Sequence, residues 1–388
     1  MRKIAIGQAG GPTAVINATL AGFVKEMMND HSLTFIRNGY DGLAHGEFID
    51  GDQAMLEWVI QNNHVPGACL GSGRYPLSEQ NITNCIKHLK EIGAEALVII
   101  GGNGTMEALR KIEAGAARAG YDLQVIGLPK TVDNDLGGTD HAPGFASAAR
   151  YVAQATLDIG RDLHSMRNFE QVRILETMGR NAGWLASASG YLRKYEEDGP
   201  HFIAIPERPM KRDELLDSID IAIRRHGCAT IVVSEGVRWS EGNQVEREVI
   251  NGRPVLGGIS NEIESFLKKE LKIMARFELL GMNQRSSSAT VSRIDYKESF
   301  LVGVTGGKWI REGKTGIMVS LQRNGQFGYN LNIIPVGLKE VVQAGERRMP
   351  DHFIDDLDTY YQWLRPLIGD DLVSYPSPTP RRDIYAKE

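Results

Sequence analysis

Five times along this chain a short apolar run ends in a glycine-bearing or polar loop. Lys3–Gly7 leads into Gln8-Ala-Gly-Gly-Pro-Thr13 and a helix expected over Ala14–Met28. Ala96–Ile100 leads into Gly101-Gly-Asn-Gly-Thr105 and a helix over Met106–Ala119. Leu123–Ile126 leads into Gly127-Leu-Pro-Lys-Thr-Val-Asp-Asn-Asp135, Val172–Leu175 into Glu176-Thr-Met-Gly-Arg-Asn-Ala-Gly183, and Thr230–Val233 into Ser234-Glu-Gly236. Runs this short and mostly apolar suit strands buried on both faces, and strands alternating with helices imply a doubly wound, mostly parallel sheet. At 388 residues the chain exceeds what one core usually serves, so two such domains are expected.

Composition narrows the function classes. With 42% hydrophobic and 24% charged residues the chain reads as an ordinary globular protein. A net charge of −5 argues against general binding to nucleic acid or anionic membrane, so an anionic substrate would have to meet a local cluster of Arg and Lys. Runs such as Ala96–Ile100 are far too short to span a bilayer, and the N-terminus enters a strand without a signal-peptide core. Cys69, Cys85 and Cys228 lack metal-like spacing, which suits a reduced, cytoplasmic protein. Pro376-Ser-Pro-Thr-Pro380 and the residues beyond read as an extended arm or frayed tail.

The chemistry concentrates where the strands end, which is where open α/β sheets bind ligands. Lys130 suits a phosphate, Asp133 a proton from a sugar hydroxyl, and Asp135 a Mg²⁺ ion, the parts phosphoryl transfer requires. Two familiar nucleotide motifs are absent. Gly7-Gln-Ala-Gly-Gly-Pro misses the G-x-G-x-x-G spacing, and Gly313-Lys314-Thr315 has Lys308 where a P-loop needs its first glycine, so it reads as a hairpin turn. Gly10-Gly11 and Gly101-Gly102-Asn103-Gly104 each follow a strand and open a helix, where bare backbone and a helix N-terminus receive phosphate.

With these motifs the chain resembles the phosphofructokinase family. The matching pieces are Gly10-Gly11-Pro12 through Asn17, Gly71-Ser-Gly-Arg-Tyr75, Gly101–Thr105, Pro129–Asp135 and Gly138-Thr-Asp140. Met178-Gly-Arg-Asn-Ala-Gly-Trp184, Ser234-Glu-Gly236 and Gln284-Arg285 complete them. The chain looks most like the longer, non-allosteric branch that includes pyrophosphate-dependent members. The resemblance implies two doubly wound domains: residues 1–140 for the donor, with part of 285–350 returning to them, and 141–284 for the sugar phosphate. Residues 351–388 follow as a helix and extended tail, and Gly137-Gly138 as a crossing point.

The resemblance also implies roles. Asp133 would take the proton from the sugar 1-hydroxyl, and Thr131, with Thr105, Gly11 and Gly104, would hold the moving phosphoryl group. Lys130 and Arg74 would face the donor phosphates, and residues near Tyr40 and Arg74 would line an adenine site. Asp135 and Asn103 would place Mg²⁺. Arg180, beside Met178 and Gly179, would stabilise charge at the reacting centre. Glu235 would bind sugar hydroxyls, and Arg276 and Arg285 would grip the C6 phosphate, a task suited to guanidinium forks. The family's acceptor sites borrow residues across subunit interfaces, so a homodimer or homotetramer is expected.

Three departures qualify this picture. Asn103 stands where many relatives have a metal-binding aspartate. Gln171 stands where many supply an arginine to the 6-phosphate from a neighbouring subunit. Met282 and Ser286-Ser-Ser288 replace a more usual histidine and glycines around Gln284-Arg285. Gly104, unlike the aspartate of pyrophosphate users, leaves the path of the ATP α-phosphate open. The chain is therefore read as a kinase transferring phosphate from ATP to the 1-hydroxyl of fructose 6-phosphate. The alternatives are a pyrophosphate-dependent enzyme, a kinase for a ketose with another C6 anion such as 6-deoxy-6-sulfofructose, and a weakly catalytic sugar-phosphate binder.

Overall fold

A computed structural model describes residues 1–73, 75, 77–250, 253–324 and 329–379, with the side chains of 246–250 and 253–256 left aside. Its strands in chain order are β1 (Arg2–Gln8), β2 (His31–Ile36), β3 (Phe48–Asp50), β4 (Ala96–Gly101), β5 (Gln124–Pro129), β6 (Val172–Thr177) and β7 (Phe202–Ala204). They continue as β8 (Ala229–Ser234), β9 (Glu246–Ile250), β10 (Arg253–Leu256), β11 (Ala275–Leu279), β12 (Ile317–Arg323) and β13 (Leu331–Gly337). The helices are α1 (Ile16–Met27), α2 (Tyr40–His45), α3 (Gln53–Gln61), α4 (Glu79–Glu91), α5 (Asn103–Arg118), α6 (Phe145–Met166) and α7 (Trp184–Ala188). After them come α8 (Arg212–His226), α9 (Ile259–Leu271), α10 (Asn283–Ser286), α11 (Arg293–Arg311), α12 (Leu338–Ala344), α13 (Asp351–Asp355) and α14 (Leu357–Ile368). Among the described residues no helix is long and apolar enough to cross a membrane.

The chain divides into two compact units, the first holding Met1–Ala148 and Arg285–Arg347, the second Ala149–Gln284 and Arg348–Glu388. The mostly parallel α/β architecture read from the recurring motif is present in each. In the first unit seven strands run in the order β13-β12-β5-β4-β1-β2-β3. The central pairs are parallel, and β3 and β13 close the edges antiparallel. β4 and β5 are buried along their whole length, which explains their unbroken apolar runs. From β1 the chain first moves outward to β2 and later returns on the other side as β4, so the loops after β1 and β4 diverge. That divergence opens a crevice at a topological switch point.

The second unit carries a fully parallel sheet in the order β11-β6-β8-β7. Its core gathers Val172 and Ile174 of β6, Ile231 and Val233 of β8, and Ile259, Ile263 and Leu267 of α9. Residues 371–376 run as an extended arm along α6: Val373 N–H donates to Gln154, the Tyr375 hydroxyl to Asp158, and Arg161 to the Pro376 carbonyl. Pro380 and the residues after it lie outside the described residues.

Several sequence expectations shift. α5 begins at Asn103 rather than Met106, so Asn103-Gly104-Thr105 is the first helical turn and not a loop. Gly313-Lys314-Thr315 is not a hairpin turn but the exit of α11 toward β12: Gly313 has φ +74°, and the Thr315 hydroxyl accepts the Val125 N–H. Gly137 lies inside the first unit, where an added β-carbon would sit 2.7 Å from the Gly345 carbonyl oxygen.

α11, N-capped by Ser292 onto the Asp295 N–H, packs on α1 backbone to backbone. A β-carbon at Gly303 would lie 2.0 Å from the Thr19 carbonyl oxygen, and one at Gly22 would lie 2.1 Å from that of Phe300. Alanine at Gly303 would gain about 1 kcal/mol of helix propensity. The obstacle is main chain that cannot step aside, so overpacking of about 1–3 kcal/mol should win. Gly303→Ala is expected to lower the urea midpoint of unfolding; an unchanged or raised midpoint would show that the two helices can separate at little cost.

Candidate active site

Four loops of the first unit converge at the carboxyl ends of β1, β4 and β5. Gly10, held at φ +76°, donates its N–H to the Gly73 carbonyl, and Ser72 donates its hydroxyl to the Gly10 carbonyl at 2.6 Å. The Lys130 N–H bonds the Gly101 carbonyl. The Lys130 ammonium, only 3% exposed, reaches back to the Gly11 carbonyl at 2.6 Å. Arg285 also belongs here. Its guanidinium stands 2.8 Å from where a Gly11 β-carbon would be, on the loop after β1 in the first unit, whereas Arg276 lies in the second unit. Two cations thus flank Gly10-Gly11.

Thr131 organises the proline loop. Its N–H donates to the Pro143 carbonyl, and its hydroxyl donates to Asp135 at 3.1 Å and accepts the Asp133 N–H at 3.1 Å. The Asn103 amide donates to the Asp135 carbonyl oxygen at 2.9 Å. The Asp135 carboxyl is pushed up, chiefly by burial and then by Glu346, while Thr131 and Asn103 pull the other way. A buried carboxylate beside the Thr131 hydroxyl and the Asn103 amide is a group whose charge a hard cation would relieve. The donor set of Asp135, Asn103 and Thr131 therefore fits Mg²⁺. Thr105 is buried on the first turn of α5, and Gly104 is exposed, with nothing within 4 Å of an added β-carbon. Arg74 lies outside the described residues.

Tyr40 itself is buried in the core, and its hydroxyl donates to the Thr105 carbonyl at 3.0 Å. Burial holds its phenol well above the usual value. Its work is to brace the start of α5.

In the second unit Met178, Gly179 and Arg180 follow β6 and are fixed residue by residue. The Gln284 side chain accepts the Met178 N–H at 3.0 Å, and Ser234 donates to the Gly179 carbonyl. Gln244 donates to the Arg180 carbonyl at 3.2 Å, and Glu207 accepts the Gly183 N–H at 3.0 Å. Gly179 has φ +127°, and a β-carbon at Gly236 would collide with the Arg180 carbonyl at 1.6 Å. Glu235 stands beside this loop, its N–H on the Thr177 carbonyl. Glu176, buried at the end of β6, accepts from the Gly258 N–H and from the Ser260 N–H and hydroxyl, so it seats the N-terminus of α9. The supports Gln244 and Glu207 escaped the sequence reading, because single polar residues carry no periodic signal, whereas Gln284, Ser234 and Glu176 were read only as members of motifs.

Gln171 and Arg276 are elsewhere on the same unit. They lie at the amino-terminal ends of β6 and β11, where the Gln171 N–H donates to the Met274 carbonyl. β6 runs six residues, or about 17 Å, before it reaches Met178. The Gln171 amide is committed at both ends, accepting the Met274 N–H at 3.0 Å and donating to the Arg167 carbonyl at 3.3 Å. The Arg276 side chain is 54% exposed, paired with Glu170 at 3.3 Å and set over the Phe169 ring. Two groups of acceptor candidates therefore occupy opposite edges of one sheet.

The molecule is thus a doubly wound α/β protein whose first unit gathers glycine backbone, a helix start and two cations at a topological switch point. A family model described as phosphofructokinase matches residues 3–303, and the chain belongs to that family. It is 45% identical over 366 residues to a sulfofructose kinase of Alkalicoccus urumqiensis, covering 94% of this chain and 95% of that protein. It is 33% identical over 388 residues to a pyrophosphate–fructose 6-phosphate 1-phosphotransferase of Rhodospirillum rubrum, covering 95% and 94%. The crystal structure of a pyrophosphate-dependent phosphofructokinase from Marinobacter aquaeolei superposes with a TM-score of 0.83 at 30% identity, over 98% of this chain and 95% of that one. Kinase or phosphotransferase is thus the common activity of these relatives, and the chain is an enzyme of this family.

The bracing role of Tyr40 is open to test. Tyr40→Phe keeps the ring and leaves the Thr105 carbonyl without that donor, so about 1–3 kcal/mol of stability should be lost in urea unfolding. A variant as stable as the parent would take Tyr40 out of this role.

Proposed function

We propose that the protein transfers a phosphoryl group from ATP to the 1-hydroxyl of a ketose carrying a singly charged anion at C6, with 6-deoxy-6-sulfofructose the best acceptor. The observation that carries this reading is the Gln171 side chain, neutral and bound at both ends to main chain beside Arg276. A phosphate monoester carries between one and two charges near neutrality, and a sulfonate carries one. Replacing one guanidinium by an amide should cost the phosphate more. The relative named sulfofructose kinase, at 45% identity, supports the same reading. Fructose 6-phosphate is the second reading, supported by the relative named a fructose 6-phosphate phosphotransferase.

Asp133 is assigned as general base: it takes the proton of the 1-hydroxyl as that oxygen bonds the terminal phosphorus and the bond to ADP breaks. Lys130, the Gly11 backbone and the first turn of α5 at Gly104 and Thr105 receive the donor phosphates, with Arg285 beside them and Arg74 assigned by resemblance alone. Arg180 is assigned to the charge that develops during transfer, and Met178, Gly179 and Glu235 to the sugar. Asp135, Asn103 and Thr131 would hold Mg²⁺, whose chemistry is to neutralise donor phosphate charge. Gln171 and Arg276 are assigned to the C6 anion of a sugar bound to a partner copy, which makes a homo-oligomer the active form. The open space at Gly104 supports ATP; the relatives named pyrophosphate-dependent support pyrophosphate as second donor.

One activity matrix decides among these readings: ATP and pyrophosphate against fructose 6-phosphate and 6-deoxy-6-sulfofructose. Turnover fastest with ATP and the sulfonate is expected. Preference for fructose 6-phosphate would overturn the acceptor, preference for pyrophosphate the donor, and no turnover with any pair would leave a sugar-phosphate binder. Gln171→Arg is expected to shift the acceptor kcat/KM ratio toward the phosphate by ~10-fold, about 1.4 kcal/mol. An unmoved ratio removes Gln171 from the C6 end. Asp133→Ala should lower kcat by ~10²-fold or more with acceptor KM little changed, as loss of a general base requires. Near-normal kcat would exclude Asp133 from the proton transfer.

A further inference from the structure

Behind the proline loop, inside the first unit, lies a group of ionisable side chains to which the reaction assigns nothing. His141 is 3% exposed. Its Nδ1 lies 2.8 Å from a carboxylate oxygen of Asp140, and its Nε2 lies 2.7 Å from one of Glu298 on α11. Glu298 is itself 4% exposed and receives the Tyr329 hydroxyl, which stands 3.2 Å from Nε2. Arg323, at the end of β12, pairs with Asp140 at 2.9 Å and lies over the Tyr329 ring. Asp295, one turn before Glu298 on α11, accepts from the Gly144 and Ser147 N–H groups and the Ser147 hydroxyl.

A neutral imidazole has one N–H and one lone pair, and here both nitrogens face carboxylate oxygens at bonding distance. A lone pair aimed at either would repel it, so the ring carries two protons. His141 and Arg323 then offset Asp140 and Glu298, and the charges of these four groups cancel, with Asp295 held apart by its own N–H and hydroxyl donors. Removing a proton would leave a net negative charge enclosed, a costly arrangement.

The residues around His141 hold the loop of the proposed base. The His141 neighbour Ala142 donates its N–H to the Asn134 side chain at 3.1 Å, and the Pro143 carbonyl receives the Thr131 N–H. On the other side Asp140 N–H bonds the Leu321 carbonyl, and Ser320 donates to the Gly138 carbonyl. We propose that the doubly protonated His141 ring is a positioning device: clamped between Asp140 and Glu298, it fixes residues 138–144 to α11 and β12 and thereby holds Thr131–Asp135 in its working conformation. This rests on the reading of Asp133 as base. The two carboxylates lift the His141 value above the ordinary one against the effect of burial. A folded-state value above the unfolded one means that the clamp is complete below the ordinary imidazole value, and is lost as pH rises through the raised one.

Two kinds of measurement on the full-length protein separate this clamp from the assignment of function. In NMR spectra of protein labelled at histidine, the His141 ring should remain doubly protonated through pH 7, and Glu298→Gln should lower its titration by ~1 pH unit or more. Across that titration the Thr131 and Ala142 amides should lose protection against hydrogen exchange, after correction for intrinsic rate. Titration near 6.5, no response to Glu298→Gln, or protection that does not follow the ring would each overturn the clamp. In turnover assays wild-type kcat should fall ~10-fold along the same titration, with acceptor KM within about twofold. His141→Gln should sit on the low plateau at every pH. If the ring and amides behave as expected but kcat ignores them, the positioning role is overturned. If no acceptor is turned over, the NMR measurements still decide the clamp. Should His141→Gln fail to fold, Glu298→Gln must move the kcat profile with the ring titration, and a fixed profile counts against the proposal.

Discussion

The hydrogen bond from the Lys130 ammonium to the Gly11 carbonyl fastens the first unit's ligand-binding edge. Lys130 is almost wholly buried, and an enclosed ammonium is tolerable only where oxygens replace its water. The main chain of Lys130 is tied to Gly101, so one residue links the loops after β1, β4 and β5. Glycine at position 11 leaves space that the Arg285 guanidinium enters. Two cations beside bare backbone and the start of α5 give a protein of net negative charge a small positive region at a sheet edge.

The second unit solves a different problem. The loop that carries Arg180 has little apolar surface to bury, so it is held by hydrogen bonds at nearly every residue, from Gln284, Ser234, Gln244 and Glu207. Main chain locked by such neighbours loses little entropy on meeting a ligand. The amino edge of the same sheet presents the contrasting case of Arg276, half exposed and lightly paired, beside a Gln171 that is fully engaged. The spacing between the two edges is that of a whole strand, and it is the reason the proposed sugar site calls on a second copy of the chain.

Much of the architecture was legible before any coordinates. The apolar runs of β4, β5 and β8 are a direct consequence of burial on both faces, and the glycines after β1 and β4 mark backbone that must turn tightly. Reading failed where local chemistry has two solutions. Gly313-Lys314-Thr315 suits a hairpin or a helix exit equally well, and the Thr315 hydroxyl bond to Val125 decided it. Asn103-Gly104-Thr105 reads as loop because glycine and asparagine disfavour helix, yet backbone bonds from Thr105 and Met106 to Gly102 start α5 there.

From the sequence by itself came the fold class, the family resemblance and the chemical types available at each strand end, because burial and strand–helix alternation are local in the chain. Only the tertiary structure decided which of those residues become neighbours. It set Arg285 against Gly11 across more than 270 residues of chain, and Asn103 against Asp135. It separated Gln171 and Arg276 from Met178–Arg180 by the length of a strand, and enclosed His141 between Asp140 and Glu298. Contacts of that kind depend on the order in which strands enter a sheet and the depth to which a side chain sinks. Neither is written in the spacing of residues, since both arise from how whole elements pack.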